Sequence, residues 1–188
     1  MTTLQPLEIS GDIELPALSP HGGKTWVSPA LADALGQVLD AAFELAGADF
    51  GDIQLLDAAA RPRTAVQRNF PDWWVDYWDT AAAANGACAA ALAQGGPVVI
   101  EDIERSPLLA GTPALAILRN AEVRALLCMP MRGGSGQIFG TLAVHYRKPQ
   151  APPRASLAHL ELLARHGGML AEQARDAQCA GMNQRRFE

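Results

Sequence analysis

The spacing of apolar and polar residues changes several times along the chain, and each change predicts an element. Leu31, Leu35, Val38, Leu39, Ala42 and Phe43 recur at helical spacing and share one stripe. Ser28 before them suits an N-cap, and Pro29 suits the first helical position, where no amide is needed; Gly47 is a natural stop. From Asp52 the period drops to two. Ile53 and Leu55 alternate with Asp52 and Gln54, which predicts a strand over Asp52–Asp57. "AARPR" interrupts it, and Thr64–Phe70 resumes extended structure, so the pair reads as a hairpin. Pro71 and Asp72 then open a short helix carrying Trp73, Trp74, Tyr77 and Trp78.

Residues 86–94 suit another short helix, "PVVI" a brief strand, and "EDIERSPLLAGTP" a loop. Pro113–Ala121 predicts a third short helix, Val123–Met131 a strand, "RGGSGQ" a tight connection and Gln137–Arg147 its antiparallel neighbour. Pro130 must lie where the ladder needs no donor. Residues 153–177 predict a long helix with Leu157, Leu160, Leu163, Ala164, Leu170 and Ala174 on its apolar side. Gly167–Gly168 weakens that helix by about 1 kcal/mol per glycine and marks a place for a bend. No internal repeat is visible. The order predicts an α+β fold with an antiparallel central sheet, helices from both chain ends covering one face. Residues 1–27, rich in Pro, Gly and Ser, read as a tail or arm, residues 28–178 as one domain, and 179–188 as a C-terminal tail.

Composition narrows the function classes. With 188 residues and 49% apolar content, the chain buries enough surface to fold without disulfides or metal. A net charge of −5, with lysine only at Lys24 and Lys148, argues against binding a nucleic-acid backbone. No run of eighteen apolar residues predicts a membrane span, and the first residues lack the basic and apolar segments of a signal peptide. Cys88, Cys128 and Cys179 form no CxxC pair and no zinc spacing, which fits reduced thiols in a cytoplasmic protein.

The ordered segments "ADFGDIQLLD", "AVQRNFPDWWVDYW", "GACAAALAQGGPVVIEDI", "SPLLAGTP", "VRALLCMPM" and "GTLAVHYRKPQAPP", from about residue 29 to 175, resemble a GAF domain of the variety often fused to bacterial sensor histidine kinases. The resemblance implies a GAF/PAS-like antiparallel sheet of five or six strands. Terminal helices would lie on one face, and short helices and loops would enclose a small-molecule pocket on the other. It also implies homodimers through the terminal helices and a histidine kinase or other signalling partner. The cofactor stays unknown. The Asn-Lys…Phe…Asp-Glu signature of cyclic-nucleotide-binding members is missing, as is the Cys-His pair of bilin-attaching photoreceptors. Free methionine sulfoxide reductases of this fold carry a Gly-x-Cys segment like Gly86-Ala87-Cys88. They also carry a downstream cysteine in the loop that here reads "SPLLAGTP" and has none.

Individual side chains admit both packing and functional roles. Cys88, near a predicted helix start with no cation close in sequence, reads first as packing and second as a redox or covalent group. Cys128, on a strand apolar on both faces, reads as packing, and Cys179 as exposed and incidental. Trp73, Trp74, Tyr77 and Trp78 form either a plug against the sheet or a wall of the cavity. Alternation puts Leu142, Val144 and Tyr146 toward the terminal helices, and Gln54, Thr141, Ala143 and His145 toward the second layer. Asp102 suits a loop-stabilising acceptor or a ligand acceptor at the cavity rim. The candidate pocket residues are thus Gln54, Trp73, Trp74, Trp78, Cys88, Asp102, Cys128 and His145. The expected function is non-catalytic small-molecule sensing. The alternatives are a thiol-dependent redox enzyme using Cys88 and a structural dimerisation module.

Overall fold

The computed structural model describes residues 26–80 and 86–184. Helix α1 spans Pro29–Ala46. Ser28 caps it through a hydrogen bond accepted from the Leu31 amide, and Gly47 ends it in the left-handed conformation, φ 58°. Strands β1 (Phe50–Leu56) and β2 (Pro62–Arg68) form the first hairpin. Three helices follow, α2 (Asp72–Thr80), α3 (Ala87–Gln94) and, after strand β3 (Val98–Ile100) and a 3-10 turn at Ile103–Arg105, α4 (Pro113–Asn120). Strands β4 (Ala125–Arg132) and β5 (Ile138–Tyr146) form the second hairpin, and α5 (Arg154–Gln184) closes the fold.

The five strands are antiparallel throughout, in the order β2-β1-β5-β4-β3. Pro130 pairs with Thr141 on one side and lies past the end of the β3 ladder on the other, as a residue without an amide proton requires. The period of two sorts each strand into two faces. Ile53, Leu55, Leu127, Met129, Met131, Leu142, Val144 and Tyr146 form one core with Leu35, Val38, Leu39 and Ala42 of α1 and Leu160, Ala164 and Ala171 of α5. Phe50, Leu126, Cys128 and Ala143 face the other way and meet Phe70, Trp74, Ala91, Leu109 and Leu118. Both terminal helices therefore cover one face and the short helices the other.

Structured residues continue to both sides of the expected domain, residues 28–178. Residues 1–25 of the expected tail are outside the described residues. Trp26 donates from Nε1 to the Thr64 carbonyl at 2.9 Å, and Val27 is buried in the α1–α5 core. At the other end α5 continues without interruption across residues 178 and 179, where a tail was expected to begin.

Gly167 and Gly168 lie inside this continuous helix, and their surroundings give the pair a different role from a bend. A Cβ on Gly168 would stand 2.3 Å from the Arg132 carbonyl oxygen and 2.7 Å from its amide nitrogen. One on Gly167 would meet side chains alone, the Met131 sulfur at 3.1 Å and methyl at 3.4 Å and Leu35 Cδ2 at 3.7 Å. The missing side chains let α5 lie directly on the end of β4. One turn further, Glu172 accepts the Gly134 and Ser135 amides of the β4–β5 turn at 2.6 and 3.2 Å. Helix propensity alone would make alanine stabilising at both positions by about 1 kcal/mol. We expect Gly168→Ala to destabilise instead, by about 1–3 kcal/mol, because backbone cannot yield. Gly167→Ala should stay within about 1 kcal/mol of wild type, because Met131 is flexible. Urea unfolding of the two variants checks the contrast.

Candidate functional site

The second face of the sheet carries the polar groups. Asp52 and Gln54 on β1 and His145 on β5 are all buried there, 2%, 6% and 4% exposed. Asp52 pairs with Ala143 and Phe50 with His145, so Asp52 and His145 are diagonal neighbours. Their side chains converge to 3.8 Å between His145 Nδ1 and Asp52 Oδ1, too long for a hydrogen bond.

Helix α2 is held over this floor by an irregularity in the first hairpin. Register jumps from Ile53–Val66 to Gln54–Thr64, leaving Ala65 as an extra residue. The Thr64 amide donates to Asp79 Oδ1 of α2 at 2.8 Å. Trp74 and Trp78, four residues apart, then share the face of α2 turned to the sheet. Trp74 stacks on Phe70 with ring centres 3.8 Å apart, and both rings stand edge-on to His145, at 5.6 and 5.0 Å. Trp78 meets Trp74 edge-on at 5.5 Å.

Between floor and wall is a cavity of about 30 Å3, lined by Asp52, Gln54, Trp74, Trp78, Cys88 and His145, with Gly86, Ala87, Ala89, Leu118 and Leu126 completing it. Four buried polar atoms of these residues have no hydrogen-bond partner among the described residues: Asp52 Oδ1, His145 Nδ1 and the indole nitrogens of Trp74 and Trp78. Burial pushes the Asp52 carboxyl up from 3.8 to about 7 and the His145 imidazole down from 6.5 to about 3. Both shifts favour the uncharged form, since no polar surroundings compensate a charge there. Between these two values, from about 3 up to about 7, the neutral form of both groups is favoured.

Of the eight residues singled out from the sequence, Gln54, Trp74, Trp78, Cys88 and His145 line the cavity. Trp73 does not. It precedes Trp74 and points about 100° away round the helix, and its ring packs against the aromatic cluster, 6.3 Å from Trp74. Asp102 stabilises its own loop, accepting the Glu104 amide at 3.1 Å and facing Arg124 at 3.3 Å. Cys128 does not line the cavity and is fully buried in the core on this face of the sheet. The absence of a thiol in the loop after β3 left Cys88 without an expected partner. The fold supplies one from elsewhere, with Cys128 Sγ 2.8 Å from Cys88 Sγ. Asp52 lines the cavity too; the sequence signal for it is its alternation with Ile53, which puts it on the Gln54 face. No group of three or more metal-ligating side chains exists among the described residues. None of the helices among them is long and apolar enough to cross a membrane.

The buried pair makes a signed pH prediction. At about pH 5 the unfolded chain carries aspartate and imidazolium, and the folded chain carries the acid and neutral imidazole, one proton in each case. The two contributions to the pH slope cancel. Alone, Asp52 would confer stability that is present at low pH and lost as pH rises from 3.8 through about 7. Alone, His145 would confer stability that is lost as pH falls from 6.5 through about 3. Relative to wild type, Asp52→Asn should therefore grow more stable with rising pH between about 4 and 6.5, by up to about 1.4 kcal/mol per unit. His145→Gln should show the opposite slope. Urea midpoints measured across this range report both.

A sequence model of the GAF domain matches residues 28–170. No curated protein matches the chain. Among solved structures, the chain is similar to a domain assigned to a two-component sensor histidine kinase protein of Sinorhizobium meliloti 1021. The identity is 18%, with 81% of this chain and 98% of that one covered and a TM-score of 0.66. It is similar too to the blue-light-absorbing form of the PixJ GAF domain of Thermosynechococcus elongatus, at 19% identity, coverage of 85% and 95% and a TM-score of 0.62. A third is the GAF domain of an Acinetobacter phosphoenolpyruvate-protein phosphotransferase, at 15% identity, coverage of 79% and 85% and a TM-score of 0.63. Identities this low speak for the fold, and the match over residues 28–170 speaks for the family: the chain belongs to the GAF domains, sensory modules of sensor kinases and phytochrome-like receptors.

Proposed function

We propose that this chain is a non-catalytic sensory domain whose Asp52–His145 cavity binds a small polar molecule, and that binding acts on a signalling partner such as a histidine kinase through α1 and α5. The carrying observation is the set of four buried polar atoms, on Asp52, His145, Trp74 and Trp78, whose residues line one cavity and which have no hydrogen-bond partner among the described residues. Buried polar groups are normally paired, and a ligand offering both donors and acceptors between aromatic walls pairs these. A volume of about 30 Å3 holds one or two water-sized molecules. Anything larger must move α2 and α3 away from the sheet. A ligand therefore shifts the balance between a closed and an open arrangement by its differential affinity for them.

The same small volume supports a second reading, a structural dimerisation module whose pocket has closed. Native mass spectrometry of the protein purified from its host, followed by thermal-shift measurements with any retained molecule, separates the two. A true pocket ligand raises the Tm of wild type and loses about tenfold or more in affinity in Asp52→Asn and Trp78→Ala, since each removes a pairing group or a wall. A ligand indifferent to both substitutions places binding elsewhere. Complete absence of ligand favours the structural module.

Dimerisation through the terminal helices is part of the proposal. Leu162 is 66% exposed on α5, and Met169, seven residues on, is 41% exposed on the same side. Burying this stripe against a second copy removes it from water. Leu162→Glu should shift the chain from dimer to monomer in analytical ultracentrifugation at micromolar concentration while leaving its far-UV spectrum unchanged. A wild-type monomer rules this interface out.

A further inference from the structure

We propose that Cys88 and Cys128 are a redox-active dithiol that hydrogen peroxide converts to an intramolecular disulfide at the base of the cavity. The two residues are forty apart in sequence, one in the first turn of α3 and the other in the middle of β4, yet their sulfurs are 2.8 Å apart. A disulfide bond measures about 2.05 Å, so closing it asks for a movement of less than about 1 Å. Secondary structure holds both residues and brings their sulfurs together, so no loop has to search for its partner. The third thiol, Cys179, is exposed near the far end of α5.

Access assigns the roles. Cys88 is half-buried and lines the cavity, whose volume admits a molecule the size of hydrogen peroxide. Cys128 has no exposure, and burial, with Cys88 beside it, pushes its thiol well up. Cys88 Sγ attacks one peroxide oxygen. The O–O bond breaks, that oxygen stays on sulfur as the sulfenic acid, and the other leaves as water with the thiol proton. Cys128 Sγ then attacks the Cys88 sulfur. The S–O bond breaks, and the hydroxyl leaves as water with the Cys128 proton while the S–S bond forms. Two thiols are oxidised, and one peroxide is reduced to two waters. An external dithiol reverses the change. The disulfide ties α3 to the sheet and holds the cavity in its closed form. This chemistry needs no ligand in the cavity, so its outcome and that of the sensing proposal are independent.

The test uses the full chain with Cys179→Ser, which leaves two of the three thiols. After hydrogen peroxide treatment and unfolding, titratable thiols should fall from two to none and return with dithiothreitol. The tryptic peptide 69–105, holding Cys88, should be found linked to peptide 125–132, holding Cys128, with the loss of two hydrogens. The Tm should rise on oxidation, because the crosslink closes a long loop of the unfolded chain. In Cys128→Ala the oxidant should leave a sulfenic acid on Cys88 that dimedone traps. The linked peptide in the background with both thiols present does not depend on that variant folding. Two free thiols after treatment, or a sulfinic acid on Cys88 with Cys128 still a thiol, would overturn the proposal.

Discussion

Both faces of the central sheet are covered, and β1 and β5 lie inside it with a hydrogen-bonded strand on each side. No side chain on these two strands can reach bulk water by turning over, because a slip of one residue would carry every apolar partner of α1 and α5 to the wrong face. Asp52 and His145 are trapped by this constraint on the side of the short helices. A charge there would cost several kcal/mol without an opposing partner in hydrogen-bond contact. The 3.8 Å gap between them supplies no such contact, and burial biases both groups toward the neutral form. The chemistry of the cavity follows from a core-packing rule applied to two residues that do not belong in a core.

The aromatic layer then decides how much room is left above that floor. Phe50, Phe70 and Trp74 form a continuous stack, with centroid separations of 5.0 and 3.8 Å, that ends over His145. Trp78 extends the wall toward the start of α3. The rings fill the space by themselves, and so the cavity is small. They are tethered through Asp79, which accepts the Thr64 amide and faces Arg63 at 3.5 Å, at the irregular point of the first hairpin. A wall carried by a helix of nine residues is easier to displace than the terminal helices, which share a large apolar core with the sheet. The fold thus places its more yielding layer over the polar floor and its firmer layer on the opposite side.

Much of this was legible along the chain. The helix stripe from Leu31 to Phe43, the caps at Ser28 and Gly47, the two hairpins and the two-faced strands are local consequences of side-chain period and of backbone chemistry, and they reappear at nearly the same residues. Alternation also separated Ile53 from Gln54 and Val144 from His145. Other features were not legible for physical reasons. A glycine pair in a helix looks like a weakness until a strand carbonyl is found 2.3 Å from where a Cβ would be. Trp73 and Trp74 are chemically alike, and only the helix phase set by Asp79 decides which one meets the sheet.

Sequence by itself determined the order and type of the elements, the face on which each strand residue lies, and the antiparallel pairing of neighbours, because these depend on residues within a few positions of each other. Only the tertiary structure decided that Cys88 meets Cys128, that Asp52 meets His145, and that Asp102 serves its own loop. The two meetings join residues forty and more positions apart, and their distances are set by how three layers stack, a quantity no local pattern encodes.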